Sequence, residues 1–304
     1  MNKLNKTDIT LAIPFYGNIS YLEKTLASIR SQTVSNWVAI VVDDCSPTSG
    51  VRELVEGYGD YRITYIRNDK NLGLAGNWNR CIELCITDLI SLVHGDDELM
   101  PHYVETMLAA HIRWQAASAI FCGAKIIDER GMEVFSFRDY VKSWLLPRSK
   151  YPFMLSGKQG FATLLRGNII MCPTLCYKTP LFEEMSFDAK WRMVLDLDFY
   201  FRAMLSDKIF VGVQDVAYKY RRHSKQVTAD CERDLRIFTE EMELWSLAAD
   251  EAKIRKWSDV AQTAKKMAII KLQLLYYLLT DLVLMQGRSA GKKLSLLLKI
   301  LREN

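Results

Sequence analysis

The chain of 304 residues lacks the signatures of several large enzyme classes. Its first apolar run leads into Pro14-Phe15-Tyr16-Gly17-Asn18 rather than Gly-x-Gly-x-x-Gly, and no Gly-rich phosphate loop with its lysine occurs anywhere. Dinucleotide-dependent dehydrogenases and P-loop NTPases are thereby excluded. No Cys-x-x-Cys pair is present. Cys81 and Cys85, like Cys172 and Cys176, are four residues apart, and the total of seven leaves one necessarily unpaired. This spacing builds neither a disulfide framework nor a zinc ribbon, so buried thiols in a reducing cytoplasm are expected. Residues 1–10 are polar and lack the apolar core of a secretory signal. There is no multi-helix membrane span and no Gln-x-x-Arg-Trp segment, which argues against a processive membrane synthase. Net charge is only +4, and the excess sits in one place: Trp245 to Asn304 holds 11 Lys and Arg against 5 Asp and Glu. The rest of the chain is slightly acidic, so nucleic-acid binding finds no support.

What is present alternates in type. Ile9–Ile13, Val38–Val42, Ile63–Ile66, Leu89–Val93 and Ala119–Ile127 are short apolar or β-branched runs that predict strands, the first stopping at Pro14. Leu22, Leu26 and Ile29 repeat at helical spacing, and Ala75–Cys85 predicts a second helix. Strands separated by such helices imply an α/β fold with a mostly parallel, right-handed crossover sheet. The aromatic, basic stretch from Phe135 to Ser156 predicts a loop over a site. From Glu232 onward the pattern is wholly helical, which divides the chain into residues 1–230 and a helical extension, 231–304. Met267–Met285 approaches bilayer length but carries Lys271, Gln273 and Asp281, so a packed amphipathic helix is expected.

The chemistry concentrates at strand ends. The run Leu89-Ile90-Ser91-Leu92-Val93 delivers His94-Gly95-Asp96-Asp97 to a carboxyl end, where open α/β sheets bind ligands. Adjacent carboxylates there suit a hard divalent ion that a phosphate also ligates. Val38–Val42 delivers Asp43-Asp44 in the same way. Asp44 can serve a ligand N–H or cap the helix after Pro47. Asp196 can act as a base or cap the helix running to Leu205, and His223 can be a metal ligand or a hydrogen-bonded surface residue.

Taken together, Ile13-Pro14-Phe15-Tyr16, Ser28–Thr33 (S-I-R-S-Q-T), Val41–Ser46, Asn71–Arg80, His94–Asp97, Leu195–Arg202 and Tyr220–Ser224 resemble, in order, the motifs of the family-2 glycosyltransferases. The resemblance implies a glycosyltransferase A-type fold, a nucleotide-sugar donor (a UDP-sugar first), a Mn2+ or Mg2+ ion, and inversion at the anomeric carbon. By the same resemblance Asp44 accepts from a pyrimidine base flanked by Pro14, Phe15 and Tyr16, and Asn71, Gly73 and Asn77 form the family's glycine loop at the donor. Asp97 and His223 ligate the metal, Asp96 reaches the ribose or the metal through water, and Arg222, with Arg221, faces the diphosphate. Asp196 is the general base and Asp198 a structural or acceptor residue. His94 stands where many relatives carry an acid, and Trp78 where many carry Arg. A saccharide or lipid-linked acceptor of the kind used in surface polysaccharides follows. A sugar nucleotidyltransferase would need a cation directly after strand one, which Phe15–Asn18 does not supply, and a non-catalytic nucleotide-sugar-binding protein would not need Asp44, Asp97, Asp196 and His223 together. The basic tail, with Lys292, Lys293 and Lys299 among its leucines, suits an anionic inner-membrane surface. It equally suits a hairpin packed on the catalytic domain or on the twin subunit of a homodimer.

Overall fold

The computed structural model of the protein describes residues 8–135, 152–223 and 235–303. Its strands are β1 (Ile9–Phe15), β2 (Trp37–Asp43), β3 (Ile63–Arg67), β4 (Leu89–Leu92), β5 (Glu98–Leu99), β6 (Ala119–Ile127), β7 (Phe153–Leu155), β8 (Leu175–Lys178) and β9 (Phe210–Arg221). They form one sheet in the order β3-β2-β1-β4-β8-β6-β9-β5, with β7 also paired to β9. The parallel character expected for most of the sheet holds for β1 to β4 and for β6 with β9. Elsewhere the sheet is mixed, because β8 runs against both of its neighbours, and β5 and β7 run against β9.

Two expectations about elements are corrected. β1 does not stop at Pro14 but continues to Phe15, paired with β2. The Ala12 carbonyl accepts from Val93 on the β4 side and the Phe15 carbonyl from Asp44 on the β2 side. Pro14 therefore faces β4, which has already ended at Leu92, and its missing N–H breaks no ladder bond. The stretch read as a loop over 135–156 ends in β7; residues 136–151 of it lie outside the described residues.

Alternate residues of each central strand feed two apolar layers. Ile9, Leu11, Ile13, Val41 and Val93 face α1 (Ile19–Arg30), α2 (Val51–Gly57) and α4 (Tyr103–Arg113). Ala12, Val42, Ile90, Leu92 and Phe121 face α3 (Gly73–Glu83), α5 (Gly157–Arg166) and α6 (Leu195–Leu205). The C-terminal helices α7 (Arg236–Ile254), α8 (Ser258–Lys266), α9 (Ala268–Val283) and α10 (Gly287–Glu303) extend this second layer. Phe238, Trp245, Ala264, Ile270, Leu274 and Ile300 belong to the same buried cluster as the sheet residues. Of the described helices, none is long and apolar enough to cross a membrane. Between α9 and α10 a buried pair, Lys293 Nζ to Asp281 Oδ2 at 2.6 Å, takes Lys293 away from any membrane surface, contrary to expectation. Cys81, Cys122 and Cys176 are buried thiols as expected, whereas Cys45, Cys85 and Cys172 are partly exposed.

Candidate active site

The parallel registers bring the carboxyl ends of β1, β2 and β4 to one edge of the sheet, which puts Tyr16, Asp44 and the His94–Asp97 turn side by side. Tyr16 is 59% exposed at this edge, but Phe15 is 2% exposed and its ring belongs to the core. A ligand contact at Phe15 would therefore be made by its backbone, not its ring.

Asp44 is buried and does more for its own chain than the sequence suggested. Its Oδ1 accepts from Asn68 Nδ2 (2.9 Å) and Leu72 N (2.8 Å), and its Oδ2 from Gly73 N (3.0 Å). It therefore organises the start of α3, where Leu72 supplies no side-chain cap, rather than the helix after Pro47. Asn71 Oδ1 also accepts from Gly73 N (2.9 Å), and Gly73 adopts φ +74°, a left-handed turn that favours glycine. Asn77 is buried; its Nδ2 donates to Val42 O (3.0 Å) and its Oδ1 accepts from Asn68 (3.0 Å). Asn68, which no sequence signal marked, is thus the hub joining Asp44 to Asn77. Asp43 is satisfied elsewhere, by Ser46 N, the Tyr65 hydroxyl and Arg67.

The Asp96–Asp97 turn is gripped from two sides. On the α1 side, Thr25 Oγ1 donates to Asp97 O (2.7 Å) and Ser28 Oγ accepts from Leu99 N (3.0 Å). Gln32 spans Met100 O and Val104 N, each at 2.9 Å. The Ser28–Thr33 motif is therefore a clamp on the acidic turn. On the β9 side, Tyr218 OH and Arg221 N donate to the two oxygens of Asp97, at 3.0 and 2.7 Å. Arg221 is fully buried: its Nε donates to Asp96 O (2.8 Å), its Nη1 to Asp128 O (2.9 Å), and its Nη2 pairs with Glu98. Arg221 is a scaffold, not the diphosphate contact that was expected. Arg222, one residue on and partly exposed, keeps that assignment open.

Asp97 and Asp96 also differ in exposure. The Asp97 side chain is fully buried, whereas Asp96 is 29% exposed and its Oδ2 lies 2.9 Å from His223 Nε2. Of the two acids, Asp96 is thus the more outward, with Asp97 behind it. Burial and then the Asp96 charge push the Asp97 carboxyl well above the usual range, against its hydrogen bonds from Arg221 N and Tyr218. Burial also raises the Asp96 carboxyl, but its bond with His223 and the nearby His94 and His223 outweigh this and hold it below the usual range. His94 packs on Trp78 with ring centroids 5.7 Å apart. Burial lowers its pKa, against the pull of Asp96. Its buried Nε2 has no hydrogen-bond partner among the described residues. One ligand atom from each of His94, Asp96 and Asp97 lies within 4.8 Å of the others. Carboxylate oxygens, a neutral imidazole and an unpartnered ring nitrogen form a donor set that fits a divalent cation.

Asp196 opens α6, outside this cluster. Burial, followed by the charge of Asp196, raises the thiol pKa of Cys172. Asp198 pairs with Arg202 (2.8 Å), which also holds Ser186 O.

The sequence pattern of glycosyl transferase family 2 matches residues 10–166, over half of the chain. The chain belongs to this family. It is 24% identical over 203 residues to an uncharacterized glycosyltransferase of Methanocaldococcus jannaschii, covering 66% of each protein. It is 29% identical over 202 residues to the putative colanic acid biosynthesis glycosyl transferase WcaA of Escherichia coli, covering 66% of this chain and 67% of the relative. In fold it is similar to TarS (1–349) of S. aureus in complex with UDP-GlcNAc, with a TM-score of 0.61 at 19% identity, covering 80% of this chain and 66% of that one. The chain thus spans about two thirds of the length of these proteins. The family-2 match includes Asp44 and the Asp96–Asp97 turn but ends before Asp196 and His223.

Proposed function

We propose that this protein transfers a sugar from a uridine-diphosphate sugar to a saccharide or lipid-linked acceptor, with inversion. The observation that carries the reading is the Asp96–His223 pair at the exposed edge of the sheet, with His94 and the buried Asp97 beside it. The complexes of the similar TarS with UDP-GlcNAc and with UDP support the donor class, and the colanic acid relative supports a polysaccharide acceptor. Residues 1–230 are taken as the catalytic part and 231–304 as a helical extension packed on it. Pro14, Tyr16 and the loop that Asp44 orders would hold the nucleoside, and Arg222 the diphosphate. Asp196 would take the proton of the attacking acceptor hydroxyl. Asp96 and His223, backed by Asp97 and His94, would hold Mn2+ or Mg2+. Such an ion neutralises charge on a departing diphosphate.

The test is a panel of UDP-, GDP- and dTDP-sugars scored for manganese-dependent thermal stabilisation and slow hydrolysis. Calorimetry of UDP then checks the metal. Affinity is expected to fall at least about tenfold, or 1.4 kcal/mol, when manganese is replaced by chelator, and Asp96→Asn is expected to erase that difference. Equal affinity with manganese and with chelator would overturn the metal assignment.

We also propose that the α9–α10 hairpin rests on an anionic membrane face. Leu272, Leu275, Leu279 and Leu282 on α9, with Leu294, Leu298 and Leu301 on α10, are 43–62% exposed, and Arg288, Lys292 and Arg302 are exposed on α10. Interfacial helices combine such leucines and cations, each cation near the surface contributing about 1 kcal/mol. Sedimentation with phosphatidylglycerol vesicles is expected to show salt-sensitive binding that weakens about tenfold or more in Lys292→Gln/Arg302→Gln. A dimer in solution with no vesicle binding at low salt would assign the leucines to a second copy instead.

A further inference from the structure

The approach to the helix that carries Asp196 is held from a distant part of the chain. Arg192 N, Met193 N and Val194 N all donate to one oxygen, Oε2 of Glu240, at 3.0, 2.7 and 3.4 Å. Val194 occupies the N-cap position of α6 and offers no side-chain hydrogen bond, so Glu240 fixes the turn that leads into the helix. Glu240 lies in the first turns of α7, within the extension. One turn further on, Glu243 pairs with Lys190 at 2.5 Å. Two residues later Trp245 packs edge-on against Phe201 of α6, with centroids 5.6 Å apart. The first half of α7 thus holds both the approach to α6 and its middle, and Asp196 is the second residue of that helix.

We infer that Glu240 is a positioning residue for Asp196, through which the C-terminal extension sets the geometry of the acceptor-side carboxylate. The inference rests on the reading of Asp196 as the general base. Glu240 binds the three amides directly before the helix's first residue, so any slack there moves the Asp196 carboxylate, and proton transfer in the transition state tolerates little displacement.

The experiment uses the full chain, with UDP-GlcNAc and the other UDP-sugars of the panel in manganese, and four variants: Glu240→Ala, Glu240→Gln, Asp196→Asn and Glu240→Ala/Asp196→Asn. Hydrogen exchange of the peptide spanning 190–196 reads the clamp directly, without substrate. Exchange there is expected to quicken at least about tenfold in Glu240→Ala, while the peptide spanning Asp96–Leu99 stays protected. The kcat is expected to drop about 10- to 100-fold with donor KM within about twofold, and the double variant is expected to be no slower than Asp196→Asn, because both changes act on one step. Glu240→Gln keeps an acceptor oxygen at the same reach and is expected to retain most of the protection and turnover, which controls for misfolding of the Ala variant. A Glu240→Ala enzyme with loosened amides and wild-type kcat would overturn the positioning role, as would a further multiplicative loss on top of Asp196→Asn. Near-normal transfer by Asp196→Asn would instead remove the base assignment, and the role of Glu240 with it.

Discussion

Asp196→Asn is expected to slow sugar transfer by roughly 100- to 10,000-fold while the donor still binds. The amide keeps the size and the hydrogen-bonding oxygen of the carboxylate but cannot take a proton. Asp196 lies inside α6, two residues past the N-cap residue Val194, so the substitution removes no N-cap and the melting temperature is expected to stay near that of the wild type. This separates the two roles the sequence left open at this position. A capping Asp lost to Asn would cost a few tenths of a kcal/mol and leave turnover intact; a base lost to Asn does the reverse. Product stereochemistry is the companion measurement. One displacement assisted by one carboxylate inverts the anomeric centre, and an NMR spectrum showing retained configuration would remove the assignment together with the single-displacement mechanism.

Sequence patterning was most informative where one kind of interaction dominates. Central strands buried on both faces appear as unbroken apolar runs, and the predicted bounds of β6 coincide with the observed Ala119–Ile127. β5 and β7, of two and three residues, carry no periodicity of their own and exist because β9 offers them a long edge. β1 outran its prediction because whether a proline ends a strand depends on which neighbour its nitrogen faces, and that is a property of the sheet rather than of the segment.

The site divides along similar lines. The acids at the ends of β2 and β4 stood out because a carboxylate following an apolar strand is conspicuous. Which oxygen each acid shows to a ligand was not legible. Asp44 turned out to be engaged by the amides of Leu72 and Gly73, and of the two acids in the acidic turn Asp96 is the more outward. Asn68 and Glu240 carried no sequence signal, and the tasks of Gln32 and Arg221 inside their motifs were not legible, for a common reason. Each acts on groups outside its own element, and such a role leaves no spacing to read. A buried arginine in particular looks in sequence like any other cation.

Arg221→Met is expected to lower stability by about 3 kcal/mol and to abolish detectable transfer. Burying a guanidinium is tolerable only when its donors are met, and here the fork meets Asp96 O, Asp128 O, Glu129 O and the Glu98 carboxylate. Removing one partner of a buried pair typically costs about 3–5 kcal/mol. The lower end applies because Glu98 is 19% exposed and retains Lys219 Nζ at 3.5 Å. Methionine fills much of the space left by the arginine stem, which limits the cavity cost, so the loss comes mainly from the unmet carbonyls. For a chain of this size the melting temperature is expected to fall by about 5–10 °C. Activity is expected to suffer more than stability, since the Arg221 side chain ties the carbonyl of Asp96 to the segment after β6 and so fixes where the Asp96 carboxylate meets His223. Calorimetric melting and manganese-dependent UDP binding measure the two effects separately. Arg221→Lys keeps the charge for Glu98 but cannot reach three carbonyls with one ammonium, and is expected to recover part of the stability but little of the nucleotide affinity. If Arg221→Met bound UDP and manganese as tightly as the wild type, the acidic turn would be rigid without its clasp, and the scaffold role of Arg221 would be lost.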